Sequence, residues 1–200
     1  MPKQVDHELQ RQSISQAALS VIAAQGLEAA RLRDVAEAAG VTTGAVTHYF
    51  DGKDAMLEAA LDEIVRQMIA EMDAAWDGPT QDVGAFIDSA AQFLPIDAEG
   101  LQGWRIWFAF WGRAIVDERL RAKHRAYYAT FAARTDEALR AAFPGLTRAT
   151  ARSLADAIIA AIDGLGVRAT LEPDAWPPKR QRAALRLLLD PMLTHATRGE

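Results

Sequence analysis

The sequence predicts an all-α protein of about nine helices, with an N-terminal three-helix helix-turn-helix domain and a larger C-terminal helical domain. Apolar residues recur at helical spacing through most of the 200 residues, and no segment alternates with the period of two that marks a strand. Glycine and proline punctuate the periodic segments, as at Gly26 and at Pro144-Gly145. Residues 32–50 have the spacing of two short helices joined by a tight turn.

The first helix is predicted from about Asp6 to Gln25. Ile14, Ala18 and Ile22 give it an apolar stripe at a spacing of four, and Gly26 suits its C-terminal end, where a positive φ costs least. The second helix is predicted to start near Arg31. No Ser or Thr precedes it, so its N-terminal cap must come from elsewhere.

The corner between the second and third helices is the most specific feature of the chain. Ala36 is the small residue where the two helices meet, and Gly40 supplies the turn. Val41 and Val46 then pack the third helix back onto the second. Thr42 is the predicted N-cap of that third helix, which runs to Phe50. In helix-turn-helix proteins this helix enters the major groove of DNA.

The flanking residues resemble the DNA-binding domain of the TetR family of bacterial regulators. The motifs that carry the resemblance are Arg11-Gln12-Ser13-Ile14, Ala17-Ala18, Gly26-Leu27, His48-Tyr49-Phe50, Lys53 and Leu57. The resemblance implies a DNA-binding domain at residues 1–52 and a ligand-binding and dimerisation domain at residues 53–200. It also implies that ligand binding moves the long helix that starts at Lys53.

The predicted DNA contacts lie on and around the third helix. The Thr43 and Thr47 hydroxyls, the Ala45 methyl group and His48 are candidates for contacts to base edges. Gly44 would let the backbone approach the duplex closely. The remaining candidates, which suit phosphates or the start of the helix, are Arg31, Arg33, Thr42, Tyr49 and Lys53. His48 has a second interpretation, as a solvated helix residue.

The charge distribution argues against non-specific DNA binding. The net charge is −5, and residues 1–55 hold five cations and seven acids. Residues 53–100 hold two cations and eleven acids, whereas residues 101–152 hold ten cations and four acids. We interpret these two segments as solvated faces of neighbouring helices that attract one another, in preference to a second nucleic-acid surface.

Six further helices are predicted after the DNA-binding domain. Asp77-Gly78-Pro79-Thr80 should break the chain after the first of them, and Asp117 and Thr147 should cap two others. Their predicted ranges are 53–76, 81–93, 101–116, 117–143, 148–171 and 179–195.

The last two helices carry apolar faces that need a partner. Ile158 and Ile162 lie on one of them, and Leu188 and Leu189 lie on the other. The resemblance implies that such a pair forms a four-helix bundle with a second subunit. We therefore expect a homodimer through residues 150–170 and 179–195, with two recognition helices about one DNA turn, ~34 Å, apart on a palindromic operator.

The helix predicted at 101–116 is apolar around most of its circumference. Trp104, Trp107, Phe108 and Trp111 share a face that Ile115 extends. These aromatic side chains fit two interpretations, a hydrophobic core or a ligand pocket.

The segments Trp-Arg-Ile-Trp-Phe-Ala-Phe-Trp, Arg-Ala-Lys-His-Arg-Ala-Tyr-Tyr and Ile-Asp-Gly-Leu resemble the C-terminal domain of the betaine-pathway repressors that respond to choline. The candidate ligand residues are Trp104, Trp107, Phe108, Trp111, Tyr127, Tyr128 and Asp163. Aromatic faces attract cations, and Asp163 could neutralise one, although it also fits a dimer interface or a solvated position. The effector is expected to be a small cation or a largely apolar molecule.

The composition excludes several other classes. The chain has no cysteine, no apolar run long enough to span a bilayer and no signal peptide, so we expect a cytoplasmic protein. It has no phosphate-binding glycine loop and no metal-ligand spacing, so we expect no cofactor, no metal and no enzymatic activity. The favoured function is a ligand-responsive repressor. The alternative is a helical small-molecule-binding or scaffold protein with a vestigial DNA-binding domain.

Overall fold

The computed structural model describes residues 2–26, 29–76 and 82–198, with side chains from residue 7 onward. These ranges contain nine α-helices and no strand, so the all-α prediction is confirmed. The helices are α1 Pro2–Gln25, α2 Leu32–Ala39, α3 Thr43–Tyr49, α4 Gly52–Ala75, α5 Val83–Ala90, α6 Ala98–Ala114, α7 Glu118–Ala142, α8 Arg148–Leu171 and α9 Pro178–Arg198. A 3₁₀ turn, Ala91–Phe93, follows α5.

The predicted helix caps are confirmed. Gly40 ends α2 with φ 67°, and the Thr42 hydroxyl accepts a hydrogen bond from the backbone N–H of Ala45 at 3.2 Å. Asp117 accepts from the first backbone N–H groups of α7, and Thr147 accepts from the backbone N–H at the start of α8. Arg31 precedes α2 in an extended conformation without a side-chain cap, as expected.

Some predicted helix boundaries were wrong by one to three residues. The Asp97 carboxylate accepts from the backbone N–H of Gly100 at 2.8 Å, so α6 starts before residue 101. The same helix ends at Ala114. Ile115 therefore lies in a turn, 71% exposed, and does not extend the aromatic face. Phe50 is extended and ends α3. The predicted break at 77–80 and the helix start at residue 81 lie outside the described residues.

The chain divides into two compact units, and their boundaries fall inside α4, α6 and α7. The N-terminal unit comprises Met1–Gln67 and Arg105–Leu120. In it α1 packs on α2 and α2 on α3. Its fully buried side chains include Ile14, Ile22, Val35, Val46, Met56, Leu57, Leu61, Ile106 and Phe110. The third helix is thus fixed to its unit mainly by Val46.

The second unit comprises Met68–Trp104 and Arg121–Glu200. In it α9 packs on both α5 and α8. Its core includes Phe86, Leu139, Leu154, Ile158, Leu165, Leu185, Leu189 and Leu193. The inner faces of α8 and α9 are therefore buried within one protomer. Among the described residues, no helix is long and apolar enough to cross a membrane.

Candidate functional site

The third helix buries one side chain and exposes most of the others. Val46 is fully buried, whereas Thr43, Gly44, Thr47 and His48 are exposed. A face of short side chains therefore remains open to a partner. The Thr47 hydroxyl donates a hydrogen bond to the carbonyl of Gly44 at 3.0 Å, and its oxygen keeps the capacity to accept another.

Gly44 leaves space at the start of this helix. A Cβ placed there would meet no atom closer than the Thr42 hydroxyl oxygen, at 3.8 Å. Its backbone φ is not positive, so the fold does not require glycine at this position. A partner that approaches the helix from outside could therefore come close to the Gly44 backbone.

Aromatic rings from two helices meet at the other end of α3. The His7 ring of α1 lies 4.8 Å from the Tyr49 ring and 5.8 Å from the His48 ring, measured between centroids. The Tyr49 hydroxyl donates a hydrogen bond to the side-chain carbonyl of Gln10 at 3.2 Å. Sequence reasoning missed His7 and Gln10, because 39 residues separate Gln10 from Tyr49 and no local pattern signals the contact.

The predicted cations lie on the elements that flank α3 in sequence, and they differ in exposure. Arg31 is exposed, and Lys53 is half-buried in the first turn of α4. Arg33 is exposed and lies 3.3 Å from the Asp34 carboxylate. The structure thus places two exposed arginines at the start of α2, while the half-buried lysine follows α3.

Two ion pairs connect the start of α4 to the last turn of α6 and the first turn of α7 in the N-terminal unit. Arg113 pairs with Asp54, and Arg119 pairs with Glu58. The two acids lie four residues apart, so they share one face of α4. Sequence reasoning missed these four residues. The i, i+4 acids at the start of the helix were the available signal.

In the second unit, α7 and α8 bring Tyr128 and Asp163 together. The Tyr128 hydroxyl donates to the Asp163 carboxylate at 2.9 Å. Burial raises the pKa of Asp163 from 3.8 to about 6, although the Tyr128 hydrogen bond acts in the opposite direction. A carboxylate held in an unfavourable environment costs the fold free energy and is often functional.

His124 and Phe131 complete an aromatic row around Tyr128. The His124 ring lies 4.2 Å from the Tyr128 ring, and the Phe131 ring lies 5.9 Å from it. Burial, together with the neighbouring Arg125 charge, lowers the pKa of His124, which favours its uncharged form. Sequence reasoning did not include His124 in the site, although its i, i+4 spacing to Tyr128 signals contact on a helix.

Tyr127 points away from this row, because successive helix residues are separated by about 100°. It is buried, with the Lys123 ammonium group 5.8 Å from its ring centroid. Trp104 is also buried, and its indole N–H donates to the carbonyl of Phe93 at 3.0 Å. The Trp104 ring covers Gly166 so closely that an added Cβ would overlap it. Both residues therefore contribute packing within the second unit.

The other predicted aromatic residues belong to the N-terminal unit. The Trp111 ring lies 6.3 Å from Trp107 and makes an edge contact with Phe108 at 5.7 Å. Trp107 is buried and Phe108 is half-buried. The seven predicted ligand residues are therefore divided between the units, and the contacts found in the second unit centre on Tyr128 and Asp163. Within the described ranges, no three His, Cys, Asp or Glu side chains form a cluster suited to a metal ion.

Two family models match the chain. The model described as bacterial regulatory proteins, tetR family, matches residues 14–60, and the BetI-type transcriptional repressor C-terminal model matches residues 86–194. The chain is 32% identical to the HTH-type transcriptional regulator BetI of Vibrio campbellii, with 97% of each chain covered. It is 33% identical to the BetI regulator of Burkholderia mallei, with 95% of each covered.

Solved structures have the same fold. A transcriptional regulator from Rhodococcus sp. Rha1 matches with a TM-score of 0.78 at 29% identity, covering 94% of this chain and 97% of that chain. A transcriptional regulator from Saccharomonospora viridis, solved in complex with choline, matches with a TM-score of 0.72 at 19% identity. That match covers 90% of this chain and 95% of the other.

Proposed function

We propose that this chain, which belongs to the TetR family of bacterial regulatory proteins, is a cation-responsive repressor. Its proposed effector is a small quaternary ammonium compound. It is a DNA-binding transcriptional regulator and not an enzyme, and regulators of this family bind palindromic operators as dimers. The observation that carries the effector proposal is the partly buried Asp163 carboxylate beside Tyr128. Since the protein binds DNA, we infer that it acts in the cytoplasm.

The exposed face of α3 is the proposed base-reading surface. Its short side chains require the helix to lie deep in the major groove, where Thr hydroxyls and the Ala45 methyl group can reach base edges. Gly44 permits that approach, because no side chain separates its backbone from the duplex. Arg31 and Arg33 are exposed and could contact phosphates. These two arginines would supply local positive charge in a domain that is acidic overall.

A quaternary ammonium ion is the effector class that best suits the second unit. A cation beside Asp163 would stabilise the charged carboxylate, whose burial is otherwise unfavourable. The Tyr128 ring offers an aromatic face, and each such face contributes about 0.5–2 kcal/mol to binding a cation. The choline complex of the Saccharomonospora viridis regulator and the BetI-type relatives support the same class.

The dimer is proposed to form through α8 and α9, within residues 150–170 and 179–195. The inner faces of both helices are buried in the protomer, so a partner must cover other residues. Leu188 is 49% exposed and Leu187 is 76% exposed, so two adjacent leucines of α9 are available to a partner. Leu188→Glu should therefore yield a monomer in analytical ultracentrifugation, whereas Leu9→Glu, at an exposed leucine of α1, should leave the dimer intact.

The ion pairs on α4 are the proposed route from effector to operator. Trp104 lies near the middle of α6 and Arg113 lies in its last turn, where Arg113 binds Asp54 at the start of α4. A displacement of α6 would therefore move α4, which follows the recognition helix directly. The effector must bind the two states with different affinity, since equal affinity for both would shift nothing.

Isothermal titration calorimetry tests the effector class. Choline should bind the wild-type protein, whereas the uncharged analogue with a tert-butyl group in place of trimethylammonium should not. Asp163→Asn should lose choline binding, and Asp156→Asn, an exposed carboxylate on the same helix, should retain it. Equal binding of both compounds would contradict a cation site. Equal binding of choline by both variants would contradict the role of Asp163.

A further inference from the structure

The recognition helix is short and needs support at both ends. Its seven residues, Thr43–Tyr49, make about two turns, and isolated helices of that length are not stable in water. The Thr42 cap holds its start and Val46 holds its middle. Its C-terminal end, which carries Thr47 and His48, is contacted by side chains of α1.

The contacts from α1 come from two residues on one face. His7 and Gln10 are three residues apart on α1, so they project in the same direction. Gln10 accepts the hydrogen bond of the Tyr49 hydroxyl, and the His7 ring meets both His48 and Tyr49. The His48 and Tyr49 rings also meet each other edge to face, at 5.4 Å between centroids. The three rings and the amide form one cluster.

We propose that His7 and Gln10 are positioning residues for operator recognition. They hold Tyr49, and through it they set the orientation of the C-terminal turn that carries Thr47 and His48. The inference rests on the DNA-reading role of α3. It also assigns the Tyr49 hydroxyl to Gln10, in place of the direct phosphate contact that the sequence predicts.

The chemistry of the hydroxyl separates these two roles. A tyrosine hydroxyl has one hydrogen to donate, and a phosphate oxygen can only accept. The hydrogen that Tyr49 gives to Gln10 is therefore not available to a phosphate while that bond is intact. A phosphate contact would require the Gln10 bond to break, so loss of Gln10 would leave it unharmed. Positioning, in contrast, requires both residues together.

A double-mutant cycle on operator binding tests the proposal. An operator is first selected from random duplexes with the wild-type protein. Its affinity for the wild type, Tyr49→Phe, Gln10→Leu and the double variant is then measured by fluorescence anisotropy at several salt concentrations. Each single change should weaken operator binding on the order of fivefold per half-site, the value of one hydrogen bond. The double variant should be no worse than either. The salt dependence should remain that of the wild type, because no phosphate contact is lost.

The histidine ring is tested by a conservative substitution. His7→Phe keeps a ring against Tyr49 and His48 and should retain operator binding, whereas His7→Ala should weaken it. Binding of non-specific DNA and the circular dichroism melting curve should be the same for all variants, so that a loss of folding is recognised.

Two results would overturn the proposal. If Tyr49→Phe loses affinity with a shallower salt dependence while Gln10→Leu binds like the wild type, the Tyr49 hydroxyl contacts phosphate. If all variants bind the operator like the wild type, the cluster has no role in recognition. A wild-type chain that selects no operator would contradict the DNA-reading function itself, and this inference would fail with it.

Discussion

Asp163 should make the protein less stable as the pH rises. Its pKa is raised from 3.8 to about 6 in the folded state, because burial disfavours the carboxylate. A group whose folded pKa is raised contributes stability that is present below pH 3.8 and is lost as the pH passes through 6. The difference between a pKa of 3.8 and one of about 6 corresponds to about 3 kcal/mol, which is an upper value because the side chain is only partly buried.

Asp163→Asn removes this pH-dependent contribution. In urea unfolding, the free energy of unfolding of the variant minus that of the wild type should rise by about 2–3 kcal/mol from pH 4 to pH 8. Other titrating groups are common to both proteins and cancel in the comparison. The gain in stability should accompany the loss of choline binding, which would mark Asp163 as a residue retained for function at a cost to the fold.

Asp156→Asn is the matched control, since Asp156 is an exposed carboxylate seven residues earlier on α8. Any change of stability with pH that Asp163→Asn shares with Asp156→Asn is a general effect of removing a negative charge from α8. Parallel pH profiles for Asp163→Asn and the wild type would refute the reasoning, because they would show that burial does not perturb Asp163. The same carboxylate makes choline affinity pH-dependent, and binding should weaken as the pH falls below 6.

Three further substitutions follow from the geometry. Gly44→Ala should raise stability by up to about 1 kcal/mol, since alanine is the better helix former, yet should weaken operator binding in anisotropy titrations. Gly166→Ala should lower the urea unfolding free energy by about 1–3 kcal/mol, because its Cβ would overlap the Trp104 ring. Arg113→Gln should bind the operator with nearly wild-type affinity in the absence of choline. The factor by which choline lowers that affinity should fall by about two- to fivefold, which is the scale of the exposed ion pair to Asp54.

Each of these has a contradicting outcome. Full operator affinity in Gly44→Ala would show that the duplex does not approach that backbone. For Gly166→Ala, the control is Gly164→Ala, because Gly164 has open space around it. Unchanged stability of Gly166→Ala would mean that Trp104 can move freely. A wild-type choline response in Arg113→Gln would remove this pair from the route between effector and operator.

Local features of the fold could be predicted from the sequence because their signals lie within a few residues. Gly40 ends a helix where a positive φ is needed, and Thr42 and Thr147 cap the helices that follow them. The DNA-reading helix was predicted for the same reason. Its cap, its apolar anchor and its turn all lie between residues 36 and 50, so no distant contact was required to recognise it.

The parts that could not be predicted depend on distant contacts. The periodicity of α9 places Leu189 on an apolar face, but it does not show whether that face packs within the protomer or against a partner. The structure packs Leu189 within the protomer. Tyr127 and Tyr128 are adjacent residues of the same type, yet it is Tyr128 that bonds to Asp163, 35 residues away. The raised pKa of Asp163 comes from burial, which depends on how α7 and α8 pack.

Release of the operator by an effector tests the central claim most directly. The selected operator, labelled with a fluorophore, is bound to the wild-type dimer and titrated with choline or its uncharged tert-butyl analogue, with Asp163→Asn in parallel. Choline should release the wild-type protein, the analogue should not, and Asp163→Asn should stay bound in both titrations. Failure of the wild type to bind any operator specifically, or equal release of both proteins by both compounds, would contradict a cation-responsive repressor.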